Sequence, residues 1–381
     1  MKFRSHWSFP NSIKFGENRI LEIEKSCNSA KIKNPLFVTD NNLVNSNIAS
    51  KVINLIKNFS SNNFIYSDVD SNPNQINLFN GIKKFKSGHF DGVIAFGGGS
   101  ALDLGKLIAF MAEQSLPLWA FEDIGSNWTK ARSDKIFPVI AIPTTAGTGS
   151  EVGRASILTN TELNVKKIIF HPQMLPKEVI CDPTLTYGLP KILTAGTGMD
   201  AFAHCLEAFS SNYYHPMATG IAIEGMKIIK NNLKLAYNEP INIVARSNMM
   251  SAALMGATSF QKGLGAIHAL SHPIGALFDT HHGMTNAVIM AEVLKFNRVA
   301  IEDKINSICS YLGIHNNFNG FLDYIYVLKD ELNIPDNLKE LGVDENKIEL
   351  IAKMALEDPT AKGNPLELNY KNTSKLLENC F

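Results

Sequence analysis

Asp200 and His204 stand four residues apart in a run that is otherwise mostly apolar, GMDAFAHCLEA (198–208). On a helix that spacing puts both side chains on one face, about 6 Å apart at Cβ. A second run, HALSHPIGALFDTHHG (268–283), carries His268, His272, His281 and His282, four of the chain's ten histidines. A lone histidine on an apolar helix face is usually a hydrogen-bonded core residue. An Asp-x-x-x-His pair together with a separate cluster of four imidazoles points instead to a bound metal ion. Imidazole and carboxylate donors suit Fe2+ or Zn2+, with one coordination position left for a substrate. No cysteine belongs to the set, so a thiolate structural site is excluded.

Two loops offer a second kind of chemistry. In VIAFGGGSALDLGK (93–106) an apolar run enters a glycine turn and then a helical pattern. Glycines let the backbone approach a ligand, and the N-terminus of the following helix offers free N–H groups to a phosphate. The spacing is not that of a P-loop, and Leu102 stands where a G-x-G-x-x-G fingerprint needs its third glycine. PTTAGTGSE (143–151) follows another apolar run and is crowded with hydroxyls and glycines. Two such loops at the carboxyl ends of neighbouring strands would build a crevice for a dinucleotide. Asp40 ends the run PLFVTD (35–40). There it serves either as a helix cap or as an acceptor for the adenosine ribose. In the second role it would repel a 2′-phosphate and favour NAD over NADP.

The elements that must carry these residues fall into two halves. Apolar β-like runs at PLFVTD, NFIYSDV (63–69), DGVIAFGGGS (91–100) and FPVIAIPTTAGTGSE (137–151) alternate with helical patterns, as over 41–59 and 102–113. This alternation predicts an α/β domain with a largely parallel sheet. After CDPTLTYGLP (181–190) only long helical patterns follow. We therefore expect a dinucleotide-binding α/β domain over 1–185 and an all-helical, metal-binding domain over 186–381. The 36 basic and 36 acidic side chains cancel, which leaves no electrostatic footprint for nucleic acid or an anionic membrane. The five cysteines form no C-x-x-C pair and read as reduced thiols. The start, MKFRSHWSFPN, has no apolar leader, and no run is long and apolar enough to span a membrane. A cytoplasmic enzyme is the expectation.

Taken in order, GGGSALDLGK, PTTAGTGSE, CDPTLT, GMDAFAHCLEA, GAIHALSHPIG and HHGMTNAV resemble the iron-containing (group III) alcohol dehydrogenases, over nearly the whole chain. The resemblance implies Asp200, His204, His268 and His282 as metal ligands. It implies Asp40, Gly97, Gly98, Ser100, Asp103, Thr144, Thr145 and Lys166, the last in NVKKIIF (164–170), as cofactor contacts. The implied fold is a Rossmann-like N-terminal domain and an all-α C-terminal domain of the dehydroquinate synthase-like architecture, with a cleft between them and a homodimer as the assembly. The implied activity is NAD(H)-linked interconversion of a small primary alcohol and its aldehyde by direct hydride transfer. Iron is the expected ion and zinc the alternative. His272, one helical turn beyond His268, is a candidate to relay the proton or contact substrate. A metal-dependent lyase or a polyol dehydrogenase on the same architecture is the competing reading. The chain departs from the family pattern at Gly220 and Ala291. RASILTN (154–160), with Arg154 as a candidate contact for a polar substrate tail, and LEDPTAKGNP (356–365) look like subgroup features without an assigned role.

Overall fold

The computed structural model describes Phe9 and residues 11–163 and 165–381. Most of the amino-terminal run read above and Asn164 of NVKKIIF lie outside the described residues. The chain divides into two compact units. One is Pro10–Thr145 with Gly149–Tyr187, and the other is Gly188–Phe381 with the short stretch Ala146–Thr148.

The first unit is built on a six-stranded parallel sheet. Its strands are β1 (Ser12–Phe15), β2 (Pro35–Val38), β3 (Ile65–Tyr66), β4 (Gly92–Gly97), β5 (Val139–Pro143) and β8 (Glu178–Cys181), in the spatial order β1-β8-β5-β4-β2-β3. Strands β2, β4, β5 and β8 are buried along their whole length, as expected of continuous apolar runs in a sheet covered on both faces. Helices α1 (Ile23–Ser29), α2 (Asn47–Ile56), α3 (Gln75–Ser87) and α4 (Gly99–Met111) accompany the sheet. The periodicity predicts a helix over 41–59, but α2 starts later. Asp40 Oδ1 accepts the N–H groups of Asn42 and Leu43 at 3.0 and 2.9 Å and forms a turn, and Ser46 then caps the helix.

RASILTN and NVKKIIF do not join the parallel sheet. They form the antiparallel hairpin β6 (Ala155–Asn160) and β7 (Val165–Phe170). The alternating burial of β6 distinguishes it from the fully buried central strands, because only one of its faces is covered.

The second unit is helical throughout its regular elements: α5 (Lys191–Ser210), α6 (Pro216–Asn238), α7 (Ile243–Ser259), α8 (Ala266–Phe278), α9 (His282–Leu312), α10 (Asn317–Glu331), α11 (Ile348–Glu357) and α12 (Tyr370–Glu378). Helix α5 packs against α6, α7 and α9, and every residue from Thr194 to Ser210 is buried. A helix buried on all sides leaves its polar side chains no water to face, so each needs a partner inside the protein. Among the described residues no helix is long and apolar enough to cross a membrane.

Candidate functional site

Helix α5 presents Asp200, His204 and Glu207 on one face, at i, i+4 and i+7. All three are buried in the middle of the helical unit. Helix α8 brings His268, and the first turns of α9 bring His282 and Asn286. The approach of α9 to α5 depends on Gly283. A Cβ there would lie 2.1 Å from the Gly196 carbonyl oxygen, so only glycine lets the helices come this close.

The nitrogen and oxygen atoms converge. Asp200 Oδ1 lies 3.8 Å from His204 Nε2, 3.8 Å from His268 Nε2 and 3.5 Å from His282 Nε2. Ligand atoms of Asp200, His204 and His268 all lie within 4.8 Å of one another. His282 stands at the more open side, with its side chain 25% exposed against 1% for His268. The Asn286 amide nitrogen donates to Asp200 Oδ1 at 2.8 Å and sits 3.5 and 3.3 Å from the Nε2 atoms of His268 and His282. One NH2 group thus faces several ring nitrogens and a carboxylate, while the Asn286 amide oxygen finds no partner among the described residues. A carboxylate and three imidazole nitrogens aimed at one buried point are a donor set that a divalent cation would bind. Three imidazoles and a carboxylate fit Fe2+ or Zn2+.

Glu207 sets the orientation of His268. Its Oε1 accepts the Ile267 N–H at 2.6 Å, and its Oε2 accepts from His268 Nδ1 at 2.5 Å. Holding the proton on Nδ1 turns Nε2 toward Asp200 as the ligand atom. The electrostatics of the metal-free chain follow from this geometry. Burial pushes the His204 pKa down to about 4, only partly opposed by Asp200. Burial also acts to lower His268, but Glu207 and Asp200 overcome it and raise the pKa to about 9. For Asp200 burial acts upward, yet the imidazoles, His204 foremost, hold its carboxyl far below the usual range.

His272 lies one turn beyond His268. Its ring stacks on that of His282, with centroids 5.4 Å apart and planes 15° from parallel. Its Nδ1 is 2.8 Å from Asp358 Oδ2. Asp358 Oδ1 in turn accepts from the Thr360 N–H and hydroxyl. Burial would raise the Asp358 pKa, but His272 and these Thr360 donors bring it below its ordinary value. His281 stands at the start of α9, close to Gly196 of α5. Its Nδ1 caps α9 by accepting the Met284 N–H at 3.3 Å.

The loops of the α/β unit are organised differently. Parallel pairing of β2 with β4 and of β4 with β5 sets three strand ends side by side. These ends carry Asp40, Gly97–Gly98 and Thr144–Thr145. Gly97 has φ 148°, and a Cβ there would meet the Ala101 Cβ at 2.8 Å and Asp40 Oδ2 at 3.6 Å. The Thr144 N–H donates to the Gly97 carbonyl at 3.0 Å, and the Thr145 Cγ2 would lie 3.4 Å from a Cβ on Gly98. Gly98 is the N-cap of α4 and supplies no side chain to its first N–H groups, which leaves them for an anion.

Asp103 and Ser100 have partners within the protein. Asp103 Oδ1 accepts from the Ser150 hydroxyl and pairs with Lys106 Nζ at 3.1 Å, and its Oδ2 accepts the Ile157 N–H at 3.0 Å. Asp103 thereby ties α4 to the hydroxyl-rich loop and to β6. The Ser100 hydroxyl donates to the Ser71 carbonyl at 2.6 Å. Lys166 stands opposite Thr159 on the hairpin, which is a separate sheet from the six parallel strands. The Arg154 guanidinium lies 5.3 Å from the centre of the Phe170 ring, and burial lowers its pKa.

Sequence reading missed Glu207, Asn286 and Asp358. Glu207 carried a signal, since it follows His204 by three residues inside the same motif and so shares its helical face. Asp358 carried none, because it is 86 residues from His272.

Comparison with known proteins shows the family. Residues 10–183 match the iron-containing alcohol dehydrogenases, and residues 194–381 match the C-terminal part of the same family. The chain is 35% identical to a 4-hydroxybutyrate dehydrogenase of Cupriavidus necator, over 96% of each chain. It is 33% identical to a 1,3-propanediol dehydrogenase of Citrobacter freundii, over 98% of this chain and 97% of that one. The crystal structure of a sulfoacetaldehyde reductase from Bifidobacterium kashiwanohense in complex with NAD+ superposes with a TM-score of 0.89, at 28% identity over 99% of both chains. The chain belongs to the iron-containing alcohol dehydrogenase family and is an oxidoreductase.

Proposed function

We propose that this enzyme interconverts a short primary alcohol and its aldehyde with NAD(H), using divalent iron held by Asp200, His204, His268 and His282. The division of labour follows the sequence expectation: residues 1–185 take the dinucleotide and residues 186–381 take the metal. The observation that carries the proposal is the convergence of three Nε2 atoms on the buried Asp200 Oδ1 at 3.5–3.8 Å, with Glu207 holding the proton on the far side of His268.

Bound at these sites, the metal would polarise the substrate oxygen and NAD(H) would accept or supply the hydride. The residues of the chain do the rest. Glu207 holds His268 through Nδ1–H and so aims Nε2 at the ligand side, where a metal would displace its proton. Gly97, Gly98, Thr144 and Thr145 keep the strand ends open to a phosphate, with Ser100 and Lys166 as further contacts. Asp103 acts by holding the 144–151 loop in place. Asp40 uses Oδ1 for its turn and turns Oδ2 toward Gly97, where a ribose hydroxyl could donate to it. His272 takes up the proton released by the alcohol, or returns it when the aldehyde is reduced.

The three relatives described above are named for short compounds that carry a second polar group beyond the reacting carbon. That pattern supports a substrate of the same kind here. The lyase alternative has no observation in its favour, whereas a diol remains within the proposed class. The five free, buried cysteines support a reducing, cytoplasmic setting, and the family likeness supports a homodimer. The test is anaerobic NADH oxidation by iron-loaded enzyme across a panel of two- to four-carbon aldehydes. We expect turnover to be fastest with aldehydes that carry a terminal hydroxyl, carboxylate or sulfonate. No turnover with any of them, despite bound NADH and iron, would contradict the proposal.

A further inference from the structure

Helix α8 carries both His268 and His272, yet its own sequence holds it weakly. Its N-cap is Gly265, which has no side chain to accept the first N–H groups. Pro273 lies inside the helix and removes the donor that would bond the Ala269 carbonyl. The missing N-terminal partners come from other segments. The Ala266 N–H donates to Asn364 Oδ1 at 3.1 Å, and the Ile267 N–H to Glu207.

Asn364 and Asp358 bracket a single short turn, Pro359–Gly363, within the run LEDPTAKGNP that the proposed activity leaves without a role. This segment therefore grips α8 twice, at its first N–H group through Asn364 and at His272 through Asp358. Neither side chain is free to swing. Asn364 exchanges two hydrogen bonds with Asn297, both at 2.9 Å. Asp358 is pinned through Oδ1 by the Thr360 N–H at 2.9 Å and hydroxyl at 2.5 Å.

We propose that Asp358 is the positioning residue of His272, within a clamp that segment 358–364 forms on α8. The proposal rests on the reading of His272 as the group that handles the proton. By accepting from Nδ1–H, the Asp358 carboxylate selects the ring tautomer whose Nε2 carries the lone pair. Nε2 can then accept the alcohol proton while the O–H electron pair stays on oxygen. Stacking on His282 limits rotation of the ring, so the carboxylate decides which nitrogen carries the proton.

The experiment compares Asp358→Asn, His272→Ala and the double variant as zinc-loaded, full-length enzyme. In Asp358→Asn the amide oxygen can keep the Thr360 bonds while the NH2 group faces His272. That forces the ring proton onto Nε2. We expect kcat to fall about 100-fold, the scale of one acid–base group, with a much smaller change in KM. The nitrogen spectrum of 15N-histidine-labelled enzyme should show the His272 proton moving from Nδ1 to Nε2. The double variant should be no slower than His272→Ala, because Asp358 acts through His272. Should Asp358→Asn fail to fold, Thr360→Val removes one donor to the same carboxylate and should give a smaller loss in the same direction.

An unchanged tautomer, a wild-type kcat, or losses that multiply in the double variant would each overturn the proposal. A wild-type rate in His272→Ala would instead overturn the proton-relay reading. The spectrum would still report whether Asp358 holds Nδ1.

Discussion

The helical unit and the α/β unit build their sites from opposite materials. In the helical unit the groups are side chains. They are buried, charged or charge-seeking, and fixed by carboxylates behind them, as Glu207 fixes His268 and Asp358 fixes His272. In the α/β unit the groups are mostly backbone. Glycines and hydroxyls stand at three adjacent strand ends, and the side chains there, Asp103 above all, brace the loop from within. The first kind of site fails when a side chain is removed. The second fails when one is added.

Removing a side chain should have its largest effect at His268. His268→Ala should lower metal-dependent turnover by about 1000-fold or more, the loss expected when a coordinating group is deleted. It also leaves the buried Glu207 carboxylate without its imidazole partner, so the variant should melt at a lower temperature. Metal analysis after dialysis checks the first point and thermal unfolding the second. Retained stoichiometric metal would remove His268 from the site.

A milder cut tests the support rather than the ligand. Glu207→Gln keeps shape but replaces a charged acceptor. Metal affinity should fall by about 10- to 100-fold, the usual cost of altering the partner of a metal-binding histidine. Competition with a chelator reads this directly, and unchanged affinity would show that Glu207 serves only to cap α8.

The same pair makes metal loading depend on pH. In the metal-free chain His268 stays protonated up to about 9, above its ordinary 6.5. An ion must displace that proton, so affinity should rise about tenfold per pH unit from near neutrality and level off near pH 9. The sign for folding is opposite. A raised histidine pKa stabilises the metal-free fold fully below about 6.5, and this contribution is lost as pH rises through about 9. Metal titrations and melts of metal-free enzyme at pH 6.5 and 9 check both signs.

In the α/β unit the damaging change is an added methyl. Gly97→Ala would force alanine into φ 148° and bring its Cβ to 2.8 Å from Ala101. A loss of about 1–3 kcal/mol is expected, shared between folding and NAD(H) binding. Ser100→Ala, which only deletes a hydroxyl bonded to the Ser71 carbonyl, should cost about 0.5 kcal/mol or less. If Ser100→Ala weakened NADH binding more than Gly97→Ala, the contrast between the two sites would collapse.

This contrast also explains what could be read in the sequence. Asp200, His204, His268 and His282 could be read as a candidate metal cluster because helical spacing maps residue number onto a face, and few other roles suit so many clustered imidazoles. The strand-to-loop runs were legible because buried parallel strands are continuously apolar. Position 40 was legible only as an alternative, and the structure gives its two oxygens different orientations. Asp103 reads as a cofactor contact only through the family resemblance, and nothing local reveals that Ser150, Lys106 and Ile157 also bond its oxygens. The grip of segment 358–364 on α8 depends on pairings across 86 and 98 residues, which no local pattern encodes.

The proposed activity needs one divalent ion where Asp200 meets three imidazoles. Stripped enzyme should be titrated anaerobically with Fe2+ while NADH-dependent aldehyde reduction is followed. Activity should rise linearly and saturate at about one ion per chain, with Asp200→Ala showing neither binding nor recovery. Full activity in the stripped enzyme, or equal recovery in Asp200→Ala, would contradict this requirement.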